Sequence, residues 1–212
     1  MAGSTTEPAA HEARGRAHRP VGERREQLLD AAVAVMRRGG ISAATTRAVA
    51  EQAGLPQGAF HYCFRSKDEL FAALLDRELD ASLGRAWDAV TGANDLEGGI
   101  AGALHAILER VRSDPEYHLL TAELVDVAAR TDGLEHVAER EHTQYVDHAE
   151  HMLRRWQESG EGRVTVDVRS LAESVVAASV GVTSAWLSTR DDDAAHRSIA
   201  LLAAGLAAVA TR

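Results

Sequence analysis

Beyond residue 20, no stretch of this chain alternates apolar and polar residues with period two for long enough to make a strand. What recurs is helix punctuation: a capping side chain, an apolar stripe at three- and four-residue spacing, then glycine or a turn. The first helix is expected from about Gly22 to Arg38, with Leu28, Ala32 and Val35 on one face and Gly39-Gly40 ending it. A short helix opens at Thr45 and ends at Gly54, and another runs from Pro56 to about Phe64. Ser66 with Glu69 makes a capping box for a long helix reaching about Val90. Asn94 with Glu97, Asp114 before Pro115 and Asp132 with Glu135 open three more, the last running to Ser159-Gly160. Asp167 and the run Asp191 to Asp193 open the final two, giving an all-α chain of about nine helices.

Composition narrows the setting. The one cysteine, Cys63, allows no intrachain disulfide and no cysteine-based zinc site, so a reducing cytosol is the expected compartment. The longest uncharged runs, Ser174 to Thr189 and Ser198 to Thr211, fall short of the roughly 20 residues of a membrane span. No apolar secretory segment stands in the first twenty residues, which read as a disordered arm. A cytoplasmic protein without membrane attachment is expected. The net charge of −9 is unevenly spread: residues 1–77 hold 11 Arg/Lys against 9 Asp/Glu, whereas residues 78–212 hold 12 against 23. A weakly basic head on an acidic body is the split expected when only the head approaches phosphates.

The segment from Thr45 to Phe64 reads as two short helices joined at Gly54, where positive φ carries no Cβ penalty. Val49, Ala53, Leu55, Phe60 and Phe64 fall at inward positions of a helix-turn-helix, and Ala50 is small where the helices cross. Outward on the second helix lie Gln57, Ala59, His61 and Tyr62, small or able to hydrogen-bond and none acidic. Such a helix suits a DNA major groove.

At these residues the chain resembles the TetR family of helix-turn-helix transcriptional regulators. The resemblance runs from about Glu23 to Leu79, through Arg24-Arg25-Glu26-Gln27-Leu28-Leu29, Val49-Ala50, Ala53-Gly54-Leu55, Gly58, His61-Tyr62-Cys63-Phe64 and Ser66-Lys67-Asp68-Glu69-Leu70-Phe71. It implies a homodimer with a helix-turn-helix DNA-binding domain (21–66) and a helical effector-binding and dimerisation domain (67–212). A repressor released from double-stranded operator DNA by a small-molecule effector is the expected function. By position, Thr45 would cap the second helix and touch a phosphate, and Arg47 would support that contact. Gly58 would allow close approach, and Lys67 would reach a phosphate. Pro56-Gln57 and His61 depart from the family pattern, which makes Gln57 and Tyr62 the reading and anchoring groups.

The last two helices are apolar on nearly every side, which requires cover on all faces and suggests a partner subunit. Val176, Val180, Thr183, Leu187, Ile199, Leu202 and Leu206 are the candidate dimer contacts. The resemblance places the effector pocket among the helices from Ser66 to about Gly160, where Trp87, His105, Tyr117, His118, Glu123, Tyr145 and Met152 are candidates for a mostly apolar wall with a few polar groups. The acidic balance hints at a neutral or cationic effector. His136, His142, His148 and His151, with Glu135, Glu139, Glu141 and Glu150 nearby, read mostly as a solvated face. They lack the paired Glu-x-x-His units or His-Glu-x-x-His of a metal centre, so no metal and no cofactor is expected. The rival readings that remain are a protein-docking interaction module or ligand-independent regulator, and a helical enzyme. The latter finds no nucleophile elbow, phosphate loop or complete metal set.

Overall fold

The computed structural model describes residues 21–78, 93–132, 134–160 and 163–211. The expected arm (1–20) and the reach of the fourth helix towards Val90 lie outside them. Among the described residues the chain is helical, without a strand. In order come α1 (Val21–Gly39), a 3-10 turn (Ile41–Ala43), α2 (Thr46–Gln52), α3 (Gln57–Cys63) and α4, helical over residues 67–78. Then follow α5 (Leu96–Ser113), α6 (Pro115–Ala129), α7 (Glu135–Glu158), α8 (Val168–Thr189) and α9 (Asp192–Ala210). Two compact units divide the chain, Met1–Leu70 and Phe71–Arg212, so the boundary falls inside α4.

In the first unit, α1 turns Leu28, Leu29, Ala32, Val35 and Met36 inward, onto a core completed by Ile41, Val49, Ala50, Phe60 and Phe64. Side chains close the gaps that short helices leave. Thr45 Oγ1 accepts from Ala48 N at 3.1 Å, capping α2. The left-handed φ of 65° at Gly54 turns the chain, and Leu55 N donates back to Ala50 O at 2.9 Å. A seven-residue helix cannot stand alone in water; here its ends are tied to α1. Gln27 Nε2 donates to Ala53 O at 2.7 Å and Arg25 Nη1 to Cys63 O at 2.9 Å, filling the last carbonyls of α2 and α3. Arg25 also lies over the Phe64 ring and 3.6 Å from Glu69. The capping box at α4 is half reciprocal. Ser66 Oγ accepts from Glu69 N, but the Glu69 carboxylate takes Arg65 N–H at 2.8 Å, one residue before the expected partner.

In the second unit, α5 lies against α8 and α9, and α7 against α6 and α8. Their shared core runs through Leu104, Leu108, Val146, Leu153, Trp156, Leu171, Ala172, Trp186, Ile199 and Ala203. Two helix starts differ from expectation. Asp95, not Asn94, caps α5 by accepting Gly98 N at 2.7 Å; a Cβ at Gly98 would sit 3.0 Å from that carboxylate, so glycine makes room for the cap. α7 begins after Leu134 with no side-chain cap, so Asp132 does not serve. Asp114, Asp167 and Asp191 cap α6, α8 and α9 as expected.

α8 and α9 are long and apolar enough to cross a membrane by length and composition, although each lays one face in the core of this unit. Their expected role as contacts covered only by a partner therefore needs correction. Ile199 is wholly inside the core of its own subunit and Val176 nearly so, because the 3.6-residue period sends these two positions inward. Leu202 and Leu206 line a groove between α8 and α9 floored by small residues, among them Ala177, Ala178, Gly181 and Ala185. Leu201 and Val209 stand exposed on α9.

One carboxylate fastens three of these helices. Asp192, in the first turn of α9, accepts Trp186 Nε1–H of α8 at 2.7 Å through Oδ1 and Arg112 Nη2 of α5 at 3.0 Å through Oδ2. Between α8 and α9 the chain turns at Arg190, in the left-handed region at φ 57°, its guanidinium over the Trp186 ring. Asp192→Ala is expected to lower unfolding free energy by about 1–3 kcal/mol. Asp192→Asn, which keeps an acceptor for the indole N–H, is expected to lose less. Denaturant unfolding followed by circular dichroism checks both.

Candidate nucleic-acid interface and ligand cavity

α3 divides its residues sharply. Phe60 and Cys63 point into the head core, whereas Gln57, Gly58, His61 and Tyr62 are exposed and Ala59 is half-buried. Tyr62 is 67% exposed, far more than a tyrosine placed for packing. A Cβ on Gly58 would meet nothing within the protein, so the chain itself does not demand glycine there. The exposed surface of α3 carries hydrogen-bonding groups and no carboxylate. Beside it, Thr45 and Arg47 at the start of α2 are exposed. Lys67 is half-buried at the start of α4, its Nζ 3.4 Å from Ile41 O. Cys63 is a buried free thiol, packed as a small hydrophobe. The exposed positions Gln57, His61 and Tyr62 and the buried Phe60 follow from the helix register read in the sequence, whereas Ala59, expected outward, is half-buried.

The second unit encloses a cavity of about 590 Å³. Ligand sites of this kind run from roughly 300 to 1,000 Å³. Its walls come from α4 to α8 and are mostly apolar, with Ile107, Val111, Leu119, Val125, Met152 and Val175 among them. Of the expected effector residues, His118, Tyr145 and Met152 line it. Tyr117 stands behind the wall, where burial and the Glu78 carboxylate push its phenol up from the usual range. His105 faces the His196 ring 4.9 Å away, outside the cavity lining, and Glu123 is exposed on α6 away from it. Trp87 lies outside the described residues.

Two further corrections concern α7 and α8. Glu141 and His148 are half-buried and line the cavity rather than standing on a solvated face, His142 borders the cavity but is exposed as expected, and His136, Glu139 and His151 are exposed. The signal was present: Ala138, Glu141, His142, Tyr145, His148, Ala149 and Met152 follow the spacing of one helix face. Polar residues concealed it, since a stripe is recognised by being apolar. From α8, Val176, Val180, Thr183 and Leu187 line this cavity too, so the wall extends past the expected limit at Gly160.

The cavity wall carries a worked-out set of charges. Glu78 is 5% exposed and is gripped by Arg110, Nε to Oε1 at 3.1 Å and Nη2 to Oε2 at 2.7 Å. Unpaired, a carboxylate so placed would be strongly destabilising. His118 Nδ1 lies 3.8 Å from Glu78 Oε1. Burial nevertheless holds the imidazole below its ordinary pKa, against the pull of Glu78 and with Arg110 repelling it, so it is neutral at pH 7. Glu141 has no ion pair or hydrogen bond among the described residues. Burial first, then the negative charges of Glu78 and Asp76, push its carboxyl up to about 7.

A carboxyl whose folded pKa is raised above its unfolded value contributes stability at low pH. That stability is lost as pH rises from about 4.5 through 7. Glu141→Gln is therefore expected to be neutral at pH 5 and stabilising by about 1–3 kcal/mol at pH 8.5, allowing for water in the cavity. Paired urea titrations of the two proteins at these pH values check it.

Comparison with known proteins adds to this geometry. Residues 28–74 match the family model described as bacterial regulatory proteins, tetR family. Over 77 residues the chain is 42% identical to the nicotine-responsive transcriptional repressor HdnoR of Paenarthrobacter nicotinovorans, covering 35% of this chain and 38% of that protein. The chain thus spans under two fifths of that relative. A TetR transcription regulator from Haloarcula marismortui superposes with a TM-score of 0.71 at 18% identity, covering 90% of this chain and all of the other. FadR of Bacillus subtilis, solved with stearoyl-CoA, gives 0.69 at 17% identity over 87% and 98% of the two chains. At such identities the two structures speak for the fold alone. The segment that is similar to bacterial regulatory proteins of the tetR family coincides with the helix-turn-helix and its supporting helices.

Proposed function

We propose that the chain is a sequence-specific transcriptional repressor, acting in the cytoplasm as a homodimer and released from its operator by a small molecule. The observation that carries this reading is α3, a helix anchored on its inner side by Phe60 and Cys63 and presenting Gln57, Gly58, His61 and Tyr62 outward. In this reading Gln57 meets a base edge, where its amide can pair bidentately with adenine. Thr45, Arg47, Tyr62 and Lys67 hold phosphates, and Gly58, Ala59 and His61 let the helix approach the groove. The groove between α8 and α9, with Leu202 and Leu206, is the face for a second subunit. The small residues along it favour close helix packing. HdnoR, a nicotine-responsive repressor, and FadR, solved with stearoyl-CoA, support a ligand role for the cavity.

Release follows from α4. The helix that supplies Lys67 to the head also supplies Glu78 to the cavity wall. An effector that displaces Glu78 displaces the same helix. Two recognition helices must reach successive major grooves about 34–36 Å apart, so a small tilt in each subunit spoils the match. Operator and effector then weaken each other by the same factor.

The test is binding to DNA upstream of the protein's own gene across a salt series, followed by random-sequence selection if that site fails. Saturable binding by a dimer, weakening with salt at a slope of about 0.9 per phosphate contact, is expected. Arg47→Ala should weaken binding on all sequences and reduce the slope by about 0.9 per head, whereas Gln57→Ala should relax base preference by about 1–3 kcal/mol at one position. Salt-insensitive association, or no selected DNA from a folded dimer, would return the head to the protein-docking reading.

A further inference from the structure

Among the described residues the cavity wall holds three carboxylates, Glu78, Asp126 and Glu141, one guanidinium, Arg110, and the imidazoles of His118, His142 and His148. The guanidinium is already engaged by Glu78 through two hydrogen bonds, so it is not open to an anionic ligand. Asp126 is exposed and faces Arg130, 3.8 Å away and one turn on. Glu141 differs from both, being largely buried, facing the cavity and lacking an ion pair or hydrogen bond among the described residues. Asp76, the neighbouring acid on α4, is taken by Arg140 at 2.8 Å. One helical turn beyond Glu141 on the same face of α7 stands Tyr145, whose ring also lines the cavity. A carboxylate and an aromatic face a turn apart make a cation receptor, the first by charge and the second by its quadrupole. The remaining wall is apolar and suits a hydrocarbon body.

We infer that the effector is a hydrophobic monocation of drug-like size, an amine or quaternary ammonium whose charged head sits between Glu141 and Tyr145 while its apolar body fills the space towards Met152 and Val175. The inference deepens the repressor reading, on which it rests, by giving the effector a chemical class. It also explains why Glu141 stays in the wall despite the burden of burying a carboxyl beside Glu78. The site is built for a charge that arrives with the ligand. Glutamine at 141 would serve stability better and recognition worse.

The test uses three probes of nearly one size: 4-phenylbutylammonium, 4-phenylbutan-1-ol and 4-phenylbutanoate. Each is titrated by calorimetry into the full-length protein at pH 8 without DNA. The ammonium probe should bind at least tenfold tighter than the alcohol, and the carboxylate weakest. In Glu141→Gln, with folding checked by circular dichroism, the ammonium and alcohol affinities should come within threefold of each other while the alcohol's own affinity moves less than threefold. Glu141→Asp, which keeps the charge, should retain most of the preference. Equal binding of ammonium and alcohol by wild type, tightest binding of the carboxylate, a preference that survives in Glu141→Gln, or no binding of any probe to the folded protein overturns the inference. A parallel operator titration keeps the two readings apart. Cation preference without operator binding overturns the repressor reading and leaves the cavity's selectivity standing, whereas operator binding without cation preference does the reverse.

Discussion

The Glu78–Arg110 pair governs the chemistry of the half that holds the cavity. A carboxylate 5% exposed inside an apolar wall is tolerable only with a partner of matching geometry, and the guanidinium fork supplies two parallel bonds. Everything polar nearby is then set by subtraction. Arg110 is withdrawn from ligand recognition. His118, desolvated and beside that guanidinium, stays neutral although a carboxylate lies 3.8 Å away. Glu141 feels the negative charge of Glu78 without a cation of its own, which raises its carboxyl to about 7. One ion pair thus closes one recognition option and leaves another open.

The head was the more legible half because its constraints are local. Thr45 caps within three residues, Gly54 turns within one, and Phe60 and Phe64 are one helical turn apart. Such features are stated by neighbouring letters. What neighbouring letters do not state is how α1 holds the short helices. Gln27 to Ala53 O and Arg25 to Cys63 O join residues 26 and 38 positions apart, and nothing in a one-dimensional reading marks a carbonyl as needing them. The same limit shows at the caps of the body. Asp114 followed by Pro115 is unambiguous, while Asn94 and Asp95 are adjacent capping residues, and only the space left by Gly98 decides between them.

The cavity was less legible for a physical reason. A helix face turned to a core is apolar and its period is visible; a face turned to a binding cavity mixes apolar and polar groups and loses the contrast on which the period depends. On α7 the stripe through Glu141, Tyr145 and Met152 therefore resembled a solvated surface, and only its last two members were expected in a pocket. On α8 a second use of the surface went unseen. Val176, Val180, Thr183 and Leu187 are apolar or nearly so and suggested a subunit contact, and they also border the cavity. A strongly apolar helix has more than one use for its surface, and α8 divides its circumference between core, cavity and the groove beside α9.

The charge split along the chain gains a second meaning from this division. A surplus of acids in residues 78–212 would repel phosphates from the body, and exposed carboxylates such as Glu123 suffice for that. Surface acids alone would not lead to Glu141, because a buried carboxyl contributes little to repulsion across water and weakens the fold above its pKa. Its placement therefore needs a reason within the cavity. Binding a cation there would lower the carboxyl's pKa and remove the repulsion between Glu141 and Glu78. That repulsion crosses from α7 to the helix that also carries Lys67. In that case the group that would recognise the charge is also the one through which recognition would act on α4.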